Sequence, residues 1–252
     1  MKKTILFIVL LLFFKLGFSQ ELNKKDLENV KILVDCIKSN NIEKLKTLIV
    51  YPLKRTTPLL DIKNEFDFKK RYHEIFDDGL KSLIISSNIK TDWSSVGSKG
   101  IMFNIGELWL NSNGKLIAVN YKSDFEYNKK NELIERKKKS IHESLKSFKE
   151  PILVIKTKKF KIRIDLLEDF TYRYASWSID SEMSEPPNLI VKNGTLIPDG
   201  NGGNHRYEFI NGSYRYTCIV NVIGVNDTPS AELVVFQNDK VILKQAGQII
   251  KK

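Results

Sequence analysis

The hydrophobic period of this chain changes at Pro151, and that change limits the fold more than any single residue does. On the C-terminal side almost every segment alternates apolar and polar residues at period two, the spacing of a half-buried strand. The spacing predicts strands over 152–167, 170–179, 189–197, 206–210, 214–223, 231–236 and 241–244. Asn193-Gly194, Asn211-Gly212 and Asn238-Asp239 punctuate these runs as tight-turn signals, because two-residue hairpin turns need positive φ. Short strands with closely spaced turns form a small antiparallel sandwich or barrel. Residues 151–252 are expected to be such an all-β domain.

The N-terminal side reads differently. Leu27, Val30, Leu33, Val34 and Ile37 recur at helical spacing. Asn40 with Glu43 resembles a capping arrangement for a second short helix, carrying Ile42, Leu45, Leu48 and Ile49 and closed by Pro52. Asn64 can cap a third helix with Phe68, Tyr72, Ile75 and Phe76 on one face. Ile101, Phe103, Ile105, Leu108 and Leu110 then alternate along one strand, irregular at Gly106, and Asn113-Gly114 turns the chain into a returning strand over 116–121. The expected fold class is therefore α+β. Helices pack on an antiparallel sheet over 20–128, a connecting helix occupies 129–150, and the all-β domain follows.

The order of helices, followed by Gly100-Ile-Met-Phe-Asn-Ile-Gly-Glu-Leu-Trp109 and Lys115-Leu-Ile-Ala-Val-Asn-Tyr121, resembles the NTF2-like superfamily over less than half of the chain. The resemblance implies a cone whose curved sheet lines a pocket. That superfamily includes enzymes, binding proteins and immunity-type modules, so the likeness assigns no activity.

The first residues read as an export signal. Lys2 and Lys3 precede an apolar run from Thr4 to Phe14, and the small residues Gly17 and Ser19 fit cleavage before Gln20. The run is shorter than the ~20 apolar residues a membrane-spanning helix needs. A signal peptide over 1–19 is expected, with a periplasmic or secreted product and no transmembrane anchor after cleavage. Lys2, Lys3 and Lys15 contribute three of the formal +11, so the cleaved chain carries +8. Outside the cytosol such a charge points to envelope polymers rather than nucleic acid, and the lysines are spread as solubility requires. Cys36 and Cys218 are the only cysteines, and both a bridge and two buried thiols are open. With three scattered histidines they offer no zinc spacing. No metal and no cofactor is expected.

Two groups of residues carry candidate chemistry. In the first half, Asp92-Trp93 and Glu107-Leu108-Trp109 place a carboxylate near two indoles, and strand parity puts Glu107 and Trp109 on one face and Leu108 and Leu110 on the other. Such a face could line a pocket, bind a polar ligand or supply a base. In the second half, Tyr172, Tyr174, Tyr207, Phe209, Tyr214, Tyr216 and Trp177 interleave with Arg173, Arg206 and Arg215. On an exposed sheet this mixture could stack sugars or meet a protein. In a core arrangement Tyr214 and Tyr216 face inward with Cys218 and Val220, and the arginines face out. The candidate ligand-binding residues are Trp93, Glu107, Trp109, Arg173, Arg206 and Arg215.

Other motifs fail on spacing. His73-Glu74 lacks the second histidine of a zinc-protease helix, since Asp77 stands there. Asp199 and Asn201 match the first calcium-loop positions, but Ile210 stands where the bidentate glutamate belongs. No catalytic set is assembled. The expected function is an exported, non-enzymatic binding or accessory protein whose partner is an envelope protein or glycan. The alternatives are an enzyme using the first-half pocket, and an inhibitor or immunity-type protein acting through the loop Asp199 to Asn204.

Overall fold

The computed structural model describes residues 21–200 and 202–250. The segment read as an export signal lies outside them. The chain divides into two compact units, Met1–Lys129 and Lys130–Lys252.

The first unit contains α1 (Lys24–Lys38), α2 (Ile42–Leu45), α3 (Glu65–Ile75) and α4 (Asp78–Ser86), then β1 (Trp93–Ser95), β2 (Ile101–Phe103), β3 (Leu108–Leu110) and β4 (Leu116–Val119). The strands form an antiparallel sheet in chain order. Asn23, Asn41, Asn64 and Asp77 each cap a helix by accepting the backbone N–H three residues on, satisfying an orphan donor. The second cap falls one residue later than the sequence predicts, because Asn40 is itself in the left-handed region at φ 50°. Val30, Leu33, Phe68, Tyr72, Phe76, Ile84, Phe103, Leu108 and Leu110 are among the buried core residues of this unit. The single strand expected over 101–110 is instead a hairpin: residues 104–107 turn, and Ile101 pairs with Leu110 and Phe103 with Leu108. Alternation continues across the turn by coincidence, and the exposed Ile105 sits at its tip.

A fifth helix, α5 (Asp124–Lys139), starts before and ends well before the connecting helix expected over 129–150. A 3₁₀ turn follows at Glu143–Leu145, and β5 has begun by Glu150. The apolar residues that gave 131–148 its helical period are used in two ways. Ile134 lies on α5, whereas Ile141, Leu145 and Phe148 lie beyond it, and all four pack with Ala175 and Trp177.

In the second unit, β5 (Glu150–Thr157), β6 (Phe160–Leu166), β7 (Tyr172–Ser178), β8 (Leu189–Pro198), β9 (His205–Asn211), β10 (Tyr214–Val220), β11 (Ala231–Gln237) and β12 (Lys240–Ile249) form a closed antiparallel barrel. Each strand pairs with its sequence neighbour, and β12 closes on β5 through Gly247–Thr157 and Ile249–Ile155. Of the two architectures expected, the closed one occurs. It leaves no unpaired edge. The long strand predicted over 152–167 is the hairpin β5–β6, turned at residues 158–159.

Of two turn signals, one forms as expected and the other does not. Asn238 and Asp239 both have positive φ between paired Gln237 and Lys240, as a type I′ hairpin requires. Asn193-Gly194 is no turn; it lies inside β8, where the register against β7 shifts between Tyr172 and Tyr174. Asn193 takes φ 60° there. At Gly194 a Cβ would lie 2.1 Å from the Phe209 ring, so glycine at this bulge makes room for a core aromatic.

Candidate functional site

Within its own unit each residue singled out by the sequence has a separate setting, save that Arg206 and Arg215 both reach Glu208. Trp93 is buried beside Phe103 at 4.6 Å between ring centroids, and its Nε1 donates to Ser87 Oγ. It is a core residue. Trp109 pairs with Met102 and Ala118 on the opposite face of the sheet. Glu107 belongs to the 104–107 turn, where its carboxylate accepts from Asn104 Nδ2 at 2.6 Å and its carbonyl accepts from the N–H groups of Asn120 and Tyr121. Asp92 accepts from the Asn88 N–H and the Thr91 hydroxyl. The shared Glu-Trp face expected from strand parity is lost because parity does not carry through a turn.

Arg173 was expected to point outward from the barrel wall. It does, but it is 2% exposed. Its guanidinium donates to the Leu145 and Ser147 carbonyls and to Asp165 Oδ2 at 2.8 Å. Arg163 donates to the same Oδ2 at 2.9 Å and stacks on the Phe148 ring. One buried carboxylate thus serves two buried guanidiniums, while the segment 141–148 supplies carbonyls and an aromatic face. This cluster fastens that segment to the outer wall. Arg206 and Arg215 are half-buried on the outer wall; Arg206 pairs with Asp199 and Glu208, and Arg215 with Asp239 at 3.3 Å, lying 3.9 Å from the Phe236 ring centroid.

The tyrosines lie on the other side of the same strands. Tyr172, Tyr174, Tyr207, Phe209, Tyr214 and Tyr216 belong to the barrel interior with Cys218 and Val220. Tyr172 meets Tyr207 edge-on, and Tyr174 touches both Phe209 and Tyr216. The sheet therefore separates aromatics from arginines, and the mixed sugar-stacking surface is not formed. Trp177 faces out, covered by the segment that ends α5 and donating to the Glu185 carbonyl.

The two ends of the barrel differ. At one end the connections span residues 167–171, 199–204 and 221–230. Asn204 ties two of them together: its Oδ1 accepts from the Val222 and Ile223 N–H groups, and its Nδ2 donates to the Ile223 carbonyl. Of the inward residues there, Tyr207, Val220 and Ala231 are buried, whereas Ile152, Leu153, Tyr172 and Ile249 are half-buried.

At the other end the turns 158–159, 212–213 and 238–239 have two residues each. The longer connection over 179–188 is anchored on the outer wall, where Met183 O accepts from the His142 N–H and Glu185 O from Trp177. Inward residues at this turn end, Phe160, Leu189, Tyr214, Tyr216 and Leu243, stay half-buried although they pack on the interior cluster. Together they cover the turn end of the interior cluster that contains Tyr174, Phe209 and Val235.

Gln245 was missed by sequence reasoning. Its register opposite Leu233, a buried interior residue, puts it on the inner wall. Its side-chain oxygen is buried and has no hydrogen-bond partner. The predicted strand stopped at Lys244, one residue short of Gln245. The signal was the interruption itself: Leu243, Gln245, Gly247 and Ile249 hold one parity, so a polar residue stands where an apolar one belongs.

Burial pushes the Cys218 thiol up to about 12 and also raises Tyr174, Tyr207 and Tyr216, the last with help from Tyr214. At neutral pH the interior is thus uncharged at these groups, and the thiol is held in its unreactive protonated form. Both cysteines are free. Among the described residues no cluster of three or more His, Cys, Asp or Glu could hold a metal ion, and no helix is long and apolar enough to cross a membrane. Compared with protein-family models, curated proteins and solved structures, the chain matches none. The NTF2-like likeness of the first half therefore rests on element order alone.

Proposed function

We propose that this chain is a non-enzymatic binding protein of the cell envelope, periplasmic or secreted, which takes its ligand through the turn end of the barrel. The observation that carries the reading is the half-buried ring of Phe160, Leu189, Tyr214, Tyr216 and Leu243 above a packed interior. Eight-stranded barrels are either filled by their own side chains or hold one small ligand at the mouth, and this one carries partly buried apolar residues at its turn end over a filled interior. Export rests on the sequence over 1–19. The enzyme reading of the first half loses its geometry, since Trp93 and Trp109 lie on opposite faces of the sheet.

Native mass spectrometry of the full chain after incubation with envelope extract tests the reading. A stoichiometric adduct is expected on the native sequence and is lost in the Tyr214→Ala/Tyr216→Ala double variant. An adduct that survives the double variant would place binding elsewhere and end the proposal.

A further inference from the structure

Three Asn-Gly pairs lie wholly among the described residues, and the fold treats them unequally. An asparagine before glycine can close on its own backbone, because glycine has no Cβ to hinder the approach of its nitrogen to the side-chain carbonyl. Ring closure needs an accessible nitrogen and room to bend. At Asn113-Gly114 the Gly114 N–H donates to the Asn111 carbonyl at 2.9 Å, and Gly114 is buried where a Cβ would lie 2.4 Å from Asn29 Cγ. That nitrogen is engaged. Gly194 is paired with Tyr172 inside β8 and buried against the Phe209 ring, so Asn193 has no room to turn toward it. Asn211-Gly212 differs on each count. Asn211 pairs with Tyr214 at the end of β9, and Gly212 takes the first central position of the turn with φ 59°, as a type II′ turn requires. The ladder bonds of such a hairpin close on the flanking pair, which leaves the Gly212 N–H outside the ladder. Asn211, Gly212 and Ser213 are all exposed, and apart from chain neighbours no atom lies within 4 Å of where a Gly212 Cβ would stand.

We infer that Asn211 is a site of spontaneous deamidation, the first of these three to convert in the folded protein. The Gly212 nitrogen attacks Asn211 Cγ, an N–Cγ bond forms, and the Cγ–Nδ2 bond breaks. The proton of that nitrogen leaves with Nδ2 as ammonia, and a succinimide ring remains. Water then opens either carbonyl of the ring to give aspartate or isoaspartate, so water is the sole co-reactant and no oxidant is used. Both products replace a neutral amide by a carboxylate. Isoaspartate also routes the main chain through Cβ, adding an atom to a turn whose two central residues set the register of β9 against β10. The disturbance has a path onward, because the Ser213 carbonyl accepts from the Asn238 N–H of the next turn at 3.0 Å.

The test incubates the full chain at mildly alkaline pH, folded and in urea, and follows each site by tryptic digestion and tandem mass spectrometry against an unincubated sample. Cleavage after Arg206 and Arg215 isolates residues 207–215, in which Asn211 is the only asparagine. In the folded chain Asn211 is expected to convert about tenfold faster than Asn113 or Asn193, the ratio that a local opening of only about 1.4 kcal/mol imposes. In urea the gap should close. The Asn211→Gln variant should abolish conversion in 207–215 and leave the rates at Asn113 and Asn193 unchanged. The isoaspartate product, separated by chromatography, should exchange amide hydrogens faster than the native chain at 212–216 and 238–240, and unchanged exchange there would overturn the disturbance of the turns. Equal or faster conversion at Asn113 or Asn193 in the folded chain, the same tenfold order in urea, or an Asn211 that converts only when unfolded would overturn the inference itself.

Discussion

The first unit surrounds four strands of three or four residues with helices and loops, whereas the second closes eight strands of seven to ten residues on themselves. Their interiors differ in shape more than in kind. The first buries aliphatic and aromatic residues with the Cys36 thiol and the Tyr72 hydroxyl, which has no hydrogen-bond partner, while Trp93 is tied to Ser87. The second buries tyrosines, the Cys218 thiol and the Gln245 amide oxygen without a partner. A polar atom left unpaired in a core costs stability. The contrast teaches that similar core chemistry is enclosed in two ways, by helices over short strands in one unit and by closure of long strands in the other.

Each unit also carries one buried ion-pair system, and these provide the sharpest break between them. Asp165→Asn would leave Arg163 and Arg173 buried around a neutral amide, and stability of the barrel unit should fall by about 3–5 kcal/mol. In the first unit the buried Arg55–Glu126 pair, with Arg55 Nε 2.6 Å from Glu126 Oε1, is the counterpart. Glu126→Gln should lower protection there instead. Native-state hydrogen exchange reads both, and equal losses in both units from either variant would dissolve the distinction.

Gly194→Ala should cost about 1–3 kcal/mol, because the new methyl meets the Phe209 ring at the β8 bulge and the core must shift. Urea unfolding measures it, and an unchanged midpoint would show that the bulge has room to spare.

Alkali gives a smaller and graded effect. Cys218 is raised from its ordinary 9.0 to about 12 in the folded barrel, so above pH 9 the unfolded chain releases a proton that the folded one retains. The sign is a loss: the contribution is fully present below the unfolded value, and stability falls as pH climbs toward the folded one, by roughly 1 kcal/mol near pH 10. Cys218→Ala should flatten that slope in a denaturant series across pH 8–10, and an unaltered slope would remove the thiol from the account. Smallest of all, Arg206→Ala should change stability by less than about 1 kcal/mol, since its partners Asp199 and Glu208 are solvent-accessible.

Much of the architecture was legible because its signals are local. Asn64 caps α3, Asn238-Asp239 turns β11 into β12, and the shared parity of Tyr214, Tyr216, Cys218 and Val220 marked an inner wall. What was hidden depends on pairing across the sheet. Period two cannot distinguish a long strand from two strands joined by a tight turn, so 101–110 and 152–167 were each read as one. Nor does it show that Asn193-Gly194 opposes Phe209, or that Arg173 lies beneath 141–148. The inward tyrosines stood out, whereas Gln245 lay one residue beyond the predicted strand and its place on the inner wall follows only from its pairing with Leu233.

The central claim is that ligand enters the turn end of the barrel rather than the first unit, and hydrogen exchange across the full chain with and without envelope extract tests it most directly. The account predicts slowed exchange confined to 158–162, 212–217 and 240–246, with residues 92–121 unchanged. Protection over 92–121, or at the long-loop end over 199–204 and 221–230, would contradict it.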